Sequence, residues 1–96
     1  MTTESIAHNV YFEGKVQSLS VQTEKGKATV GVMKKGNYTF SASSPEEMII
    51  ITGVLNVKLD GTEFTAYHAF DKFDVKAGSS FDVNCDDDVS YICYYG

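Results

Sequence analysis

The chain has 96 residues and a formal net charge of −5, and it is 43% hydrophobic and 22% charged. This length supports one domain with one core, and the composition excludes a disordered chain. The acidic balance argues against nucleic acid as a partner. All 8 basic residues are lysines, so the chain lacks the arginine fork that usually clamps phosphate or carboxylate.

Apolar residues recur with a period of two, in short runs that Gly, Asn, Asp and Ser separate, and this pattern predicts strands rather than helices. In chain order, the predicted strands cover residues 10–12, 16–21, 28–33, 38–43, 48–52, 54–59, 63–70, 72–75, 80–85 and 89–95. The continuously apolar run 48–52 predicts a strand buried on both faces. Asp60-Gly61 predicts a hairpin turn. About ten strands at this spacing predict an all-β sandwich or barrel, preceded by a mobile arm over residues 1–8.

The N-terminus has neither a basic region nor an apolar region of the kind found in secretory signals. The longest apolar run, residues 48–51, is too short to cross a membrane. We therefore expect a cytoplasmic protein that does not enter membranes, with Cys85 and Cys93 reduced and partly buried. A disulfide across neighbouring strands stays open as the alternative.

Histidine and cysteine spacings do not predict a metal site. His8 and His68 are the only histidines, and the chain contains no HxH, HxxxH or CxxC motif. His68 can in principle act as an acid or base, but its place in a predicted strand favours a solvated or hydrogen-bonded histidine. The acidic run 86–88 lacks the alternating ligands of a calcium loop and predicts a solvated turn.

Two adjacent carboxylates, Glu46 and Glu47, precede the most apolar predicted strand. Carboxylates at such a place can accept hydrogen bonds from sugar hydroxyls or stabilise a developing positive charge. The alternative is that they only keep an exposed turn soluble beside an apolar strand. Aromatic side chains offer surfaces for stacking a flat ligand, although most of the 12 aromatics must belong to the core.

Seven segments of the sequence resemble those of a known family in their order and spacing. NVYFEGKVQS, TVGVM, GNYTFS, PEEM, TGVLNVKL, SSFDV and SYICYY occur in this order across residues 9–95. Their order and spacing resemble those of the pyrimidine/purine nucleoside phosphorylases, which are small single-domain cupins. The resemblance implies one cupin domain over residues 9–96, with the RmlC-like double-stranded β-helix, or jelly-roll barrel.

The metal motifs of cupins, G(x)5HxH(x)3-4E(x)6G and G(x)5PxG(x)2H(x)3N, are incomplete in this chain. Glu46 and Gly53 match the end of the first motif, and Gly78 matches the internal glycine of the second. Residues 39–42 stand near the positions of the first two histidines, and Phe81 stands at the third. The resemblance therefore implies a cupin without its three imidazole ligands and without a metal cofactor.

The family implies cleavage of purine and pyrimidine nucleosides by inorganic phosphate, giving pentose 1-phosphate and free base. On this resemblance, the expected site residues are Glu46 and Glu47 as catalytic groups, Tyr38, Phe40, Ser41, Phe81 and Tyr91 as nucleoside-binding residues, and Lys15 as the phosphate partner. The expected partners are nucleosides and phosphate, with no nucleic acid or membrane, in a homodimer. Two alternatives stay open: a metal-free cupin that binds a small sugar or nucleoside without reacting it, and a purely structural protein.

Overall fold

The computed structural model describes residues 5–59 and 61–96, and almost all of its regular structure is β. In chain order the strands are β1 (His8–Tyr11), β2 (Val16–Thr23), β3 (Gly26–Met33), β4 (Gly36–Ser41), β5 (Glu46–Thr52), β6 (Leu55–Lys58), β7 (Thr65–Tyr67), β8 (Lys72–Val75), β9 (Ser80–Cys85) and β10 (Val89–Tyr95), with one 3-10 turn at Phe12–Gly14. The predicted all-β fold is confirmed. Among the described residues, no helix has the length and apolar character of a membrane span.

Two antiparallel sheets face each other. The larger sheet has the order β1-β2-β3-β10-β5-β8, and the smaller has the order β4-β9-β6-β7. Strands that are neighbours in a sheet are often distant in the chain. For example, β10 lies between β3 and β5. This arrangement is typical of a jelly roll. The inward-facing side chains of both sheets form one core, which includes Val16, Met33, Met48, Ile50, Leu55, Val57, Phe73, Val83 and Val89.

The expectation that β5 is buried on both faces holds only on its inner face. Met48 and Ile50 point into the core and are almost fully buried, whereas Ile49 and Ile51 are half-buried on the outer face. Successive side chains of a strand point to opposite faces, and nothing in the described part of the chain fully covers this outer face.

Apolar side chains continue across the outer face of the six-stranded sheet. One cross-strand row occupies four neighbouring strands, at Leu19, Val30, Ile92 and Ile49. Five side chains of this face are between 42% and 54% exposed, namely Val10, Leu19, Val21, Val30 and Val32. We call this surface the outer face below. Contiguous exposed apolar surface of this kind marks an interaction site.

Two sequence predictions concern residues that the structure describes only in part. Residues 1–4 lie outside the described residues, as does Asp60 of the predicted Asp60-Gly61 turn. Residues 5–7 have no regular structure, and His8 begins β1, where its Nε2 atom is hydrogen-bonded to Gln17 Oε1 at 2.8 Å. The mobility of residues 1–8 therefore stays a prediction.

Candidate active site

A cavity of about 190 Å³ lies between the sheets, at the end where β4 and β10 finish and β5 begins. Its apolar wall consists of Met33, Phe40, Met48 and Phe81. Its polar groups come from Tyr11, Ser18, Ser41, Glu46, Tyr91, Cys93 and Tyr95. The volume is below the roughly 300–1,000 Å³ of most small-molecule sites, so the cavity suits a small ligand, up to the size of one nucleoside.

Five of the eight residues predicted for the site line this cavity: Phe40, Ser41, Glu46, Phe81 and Tyr91. The Phe40 and Phe81 rings stack on each other with centroids 5.6 Å apart and planes tilted by 30°. Their strands, β4 and β9, pair directly in the smaller sheet, whereas Glu46 and Tyr91 belong to the facing sheet. The cavity therefore has an aromatic wall on one sheet and polar groups on the other.

The two adjacent carboxylates lie on opposite faces of β5. Glu46 lines the cavity, whereas Glu47 points outward to Lys25 Nζ at 3.0 Å and Lys72 Nζ at 3.7 Å. The hydrogen bond from Lys25 is the main reason that the pKa of Glu47 is lowered. Side chains alternate along a strand, so these carboxylates cannot act together on one ligand inside the cavity.

Glu46 combines partial burial with a neutral neighbour. The Cys93 thiol donates a hydrogen bond to Glu46 Oε1, with the two heavy atoms 3.5 Å apart. Burial raises the pKa of Glu46, and the contact with Cys93 only partly opposes this effect. The carboxyl group therefore binds its proton up to a higher pH than an ordinary glutamic acid does.

Inward-facing residues of β10 form the rest of the polar wall. Burial raises the pKa of Cys93 to about 12 and that of Tyr95 to about 12, and it also raises the pKa of Tyr91. The Tyr95 hydroxyl is hydrogen-bonded to Thr29 Oγ1 at 3.1 Å. At neutral pH these groups are uncharged and suit hydrogen bonding to a ligand. Cys93 is a poor nucleophile because the reactive species is the thiolate.

Neither cysteine forms a disulfide. Cys85 and Cys93 are both free and buried. Cys85 Sγ donates to the Lys34 carbonyl at 3.5 Å, and burial is the main reason that the Cys85 pKa is raised. Both thiols behave as small core residues, as the sequence predicts.

A glycine determines where the Tyr91 ring lies. Gly31 on β3 is paired with Tyr91 on β10, and a Cβ atom at Gly31 would stand 2.5 Å from Tyr91 Oη. The same Cβ atom would be 2.9 Å from the Gln17 carbonyl oxygen. The ring can therefore lie across β3 and reach the cavity only because residue 31 has no side chain.

Two further predicted site residues lie elsewhere. Tyr38 is buried in the core, where its hydroxyl donates to the Lys34 carbonyl at 2.7 Å. Lys15 follows the 3-10 turn and lines an outer groove with His8 and Gln17. The structure therefore brings neither side chain into the cavity, and it gives Lys15 no place beside Glu46.

Sequence reasoning did not select several cavity residues, of which Tyr11, Ser18, Cys93 and Tyr95 are polar. Alternation along β10 was a usable signal, because Cys93 and Tyr95 share the face of Tyr91. Ser18 had no such signal, since it reaches the cavity through the pairing of β2 with β3.

The remaining sequence candidates lie in turns. His68 is 67% exposed, with its Nδ1 atom 3.7 Å from Asp71 Oδ2. Asp88 accepts hydrogen bonds from Lys34 Nζ at 3.2 Å and from the Lys35 backbone N–H at 3.1 Å. Across residues 5–59 and 61–96, no three His, Cys, Asp or Glu side chains group closely enough to hold a metal ion.

Comparisons with known proteins agree over nearly the whole chain. The family model described as pyrimidine/purine nucleoside phosphorylase matches residues 6–95. A pyrimidine/purine nucleoside phosphorylase of Hahella chejuensis is 43% identical over 89 residues, which cover 92% of this chain and 96% of that protein. One from Escherichia coli is 45% identical over 89 residues, covering 91% and 95%.

Solved structures show the same fold. A protein of unknown function from Vibrio parahaemolyticus superposes with a TM-score of 0.89 at 40% identity, covering 94% of this chain and 97% of that one. An RmlC-like cupin from Shewanella frigidimarina gives a TM-score of 0.70 at 16% identity, over 95% and 81% of the two chains. The second likeness concerns the fold alone, and it confirms the predicted cupin architecture.

Proposed function

The chain belongs to the pyrimidine/purine nucleoside phosphorylase family, and from this premise we propose that it cleaves purine and pyrimidine nucleosides with inorganic phosphate. The products are pentose 1-phosphate and the free base. The observation that carries the proposal is the position of Glu46, whose carboxyl group lines a cavity between an aromatic wall and a row of neutral hydroxyl and thiol groups.

The chemistry requires an anionic group beside the sugar. An oxygen of hydrogen phosphate forms a bond to C1′ while the C1′–N bond breaks, and the base leaves with the bonding electrons and takes up the proton that the phosphate loses. Positive charge builds up at C1′ and the ring oxygen in the transition state. The Glu46 carboxylate, in its ionised form, stabilises this charge in a site of low polarity. Glu47, which points out of the cavity, has no part in this step.

The aromatic wall accounts for broad base specificity. Phe40 and Phe81 stack on the base, and stacking discriminates little among bases because each has a flat π-face. Ser41 and Tyr91 supply hydrogen bonds to the nucleoside. No step in this scheme needs a metal, so we propose that the reaction requires phosphate alone as co-substrate. Two free, buried thiols suit the reducing cytoplasm that we propose as its location.

The experiment that tests the function is base release. We expect purified protein to release uracil from uridine and hypoxanthine from inosine only when inorganic phosphate is present, with equimolar pentose 1-phosphate. A metal chelator should leave the rate unchanged. Release without phosphate would indicate a hydrolase, and absence of release from several nucleosides would overturn the proposal.

A specific observation also favours the non-catalytic alternative. The cavity wall includes no lysine, and the chain has no arginine, so phosphate has no cation inside the cavity. A binding protein would show a higher melting temperature with uridine and no base release with phosphate. The thermal shift therefore detects nucleoside binding, and turnover distinguishes the two functions.

We further propose that two copies pair through the outer face. This surface is apolar over four neighbouring strands. A sheet face can pack against an identical one about a two-fold axis. Pairing would remove from water the side chains that are 42–54% exposed in the single chain, which is favourable in proportion to the apolar area buried.

The pairing predicts the effect of a charge at the centre of the outer face. Val30→Lys should convert a dimer of twice the 10.5 kDa chain mass into a monomer, because association would bury two ammonium groups without partners. Val54→Lys is the matched control, since Val54 is equally exposed at 42% but lies in the turn after β5. Sedimentation equilibrium measures both masses. A monomeric parent protein at micromolar concentration would contradict the proposal.

A further inference from the structure

We propose that the attacking phosphate binds outside the cavity, in a groove at its rim that Lys25 and Lys76 supply with positive charge. This inference rests on the proposed phosphorolysis and adds the location of the second substrate. The lining of this groove includes Lys25, Glu47, Asp74, Lys76 and Tyr94 together with two residues of the cavity wall, Glu46 and Tyr95. We call it the rim groove.

The shared wall is the reason for placing phosphate here. Glu46 and Tyr95 line both the cavity and the rim groove. A ligand in the groove and a sugar in the cavity would therefore both adjoin the Glu46 and Tyr95 side chains. The cavity volume of about 190 Å³ leaves little room for a second substrate next to a nucleoside. Attack at C1′ needs the two reactants in contact, so the proposal requires them to meet at the edge of the Glu46 and Tyr95 side chains.

Lys25 and Lys76 lie in two turns that local hydrogen bonds stabilise. Lys25 lies in the β2–β3 turn, where its backbone N–H donates to Thr23 Oγ1 at 3.1 Å. Lys76 lies in the β8–β9 turn, where the Ser79 hydroxyl donates to the Lys76 carbonyl at 2.6 Å. The backbone at both positions is thus fixed by local hydrogen bonds. The outer groove of Lys15 and Lys34 also shares a residue with the cavity, Ser18, but Glu46 does not line it.

The charge balance of the groove predicts weak binding of the anion. Lys25 Nζ contacts Glu47 Oε1 at 3.0 Å and lies 4.3 Å from the centre of the Tyr94 ring. Glu47 is shared with Lys72, so its charge is already compensated. Asp74 and the ionised Glu46 also line the groove, so its carboxylates outnumber its two lysines and oppose an anion. Lysines bind phosphate as point charges without the bidentate geometry of arginine, so we expect a phosphate KM in the millimolar range.

The test separates the two substrates kinetically. In the double variant Lys25→Gln/Lys76→Gln, KM for phosphate should rise at least about tenfold, because two charged contacts to the anion are lost. KM for uridine should change by less than about twofold, since neither lysine lines the cavity. Lys35→Gln is the matched control, because Lys35 is an exposed lysine in the β3–β4 turn, at the opposite end of β3 from Lys25.

A binding measurement without turnover accompanies the kinetics. Inorganic phosphate should raise the melting temperature of the parent protein above that in chloride of equal ionic strength, and the double variant should lose this shift. If the parent protein cleaves nucleosides but the double variant keeps the phosphate KM, the rim groove is overturned and the proposed function stands. If no cleavage occurs but the phosphate shift depends on the two lysines, the proposed function falls and the anion site stands. Absence of both cleavage and shift overturns both.

Discussion

Glu46→Gln should lower kcat by at least about 100-fold, the range expected when one charged group of an active site is removed, without lowering the melting temperature. The amide keeps the size of the side chain and an oxygen that can accept from the Cys93 thiol. It cannot carry the negative charge that stabilises the developing cation. The effect should therefore appear in turnover and leave KM for the nucleoside comparatively unchanged.

The pKa of Glu46 gives this prediction a pH dependence. Burial raises that pKa above the ordinary value of 4.5, so the folded protein favours the protonated form. The resulting contribution to stability is fully present below the ordinary pKa and is lost as the pH rises through the raised pKa. Above the raised pKa the ionised Glu46 therefore lowers the stability of the folded protein, a cost that the glutamine variant does not have. The kcat of the parent protein should fall as the pH is lowered through the same raised pKa, because the carboxylate becomes protonated.

Measurements of kcat and melting temperature between pH 5 and pH 8 check these expectations together. Glu63→Gln is the control, since Glu63 is an exposed carboxylate in the segment before β7. Its kcat and melting temperature should match those of the parent protein. A glutamine variant at position 46 with full turnover would remove that residue from the reaction. A variant with a much lower melting temperature would instead show that Glu46 supports the fold.

The sequence predicted the strands because their signal is local. Period-two alternation depends on neighbours along the chain, and the predicted and observed strands largely coincide. The run 63–70 is an exception, since β7 covers only Thr65–Tyr67. The Asp71 backbone N–H donates to the His68 carbonyl at 3.0 Å and closes a turn. Phe70 in this turn has a φ of 72°, a left-handed conformation that alternation cannot predict for a phenylalanine.

The site was predicted less completely because it depends on pairings between distant strands. Phe40 and Phe81, which were selected on the family resemblance, are paired across β4 and β9 and line the cavity. Glu47 was grouped with Glu46, although adjacent residues of a strand point to opposite faces. Lys15 was selected for its segment alone, and its place on an outer groove follows from the 3-10 turn before β2. The rim lysines come from two turns that are distant in the chain, so no sequence pattern joins them.

Gly31→Ala should destabilise the protein by about 1–3 kcal/mol, the usual cost of overpacking a core. The new Cβ atom would lie 2.5 Å from Tyr91 Oη, 2.6 Å from Tyr91 Cζ and 2.9 Å from the Gln17 carbonyl oxygen. One of these contacts is with the backbone of the neighbouring strand, so a rotation of the tyrosine cannot relieve all of them. For a domain of this size, each kcal/mol lowers the melting temperature by about 4–8 °C. Denaturant unfolding gives the free energy directly.

A double-mutant cycle with Tyr91→Leu identifies the cause of this cost. Removal of the ring eliminates the two shortest contacts and leaves the one with Gln17, so Gly31→Ala should cost clearly less in the leucine background. An equal cost in both backgrounds would show that the tyrosine is not the obstacle. Since Tyr91 also lines the cavity, the single alanine variant should raise KM for the nucleoside as the ring is pushed from its position. Stability and substrate binding then both depend on the lack of a side chain at Gly31. This explains why a glycine occupies the middle of a strand, where it is otherwise unfavourable.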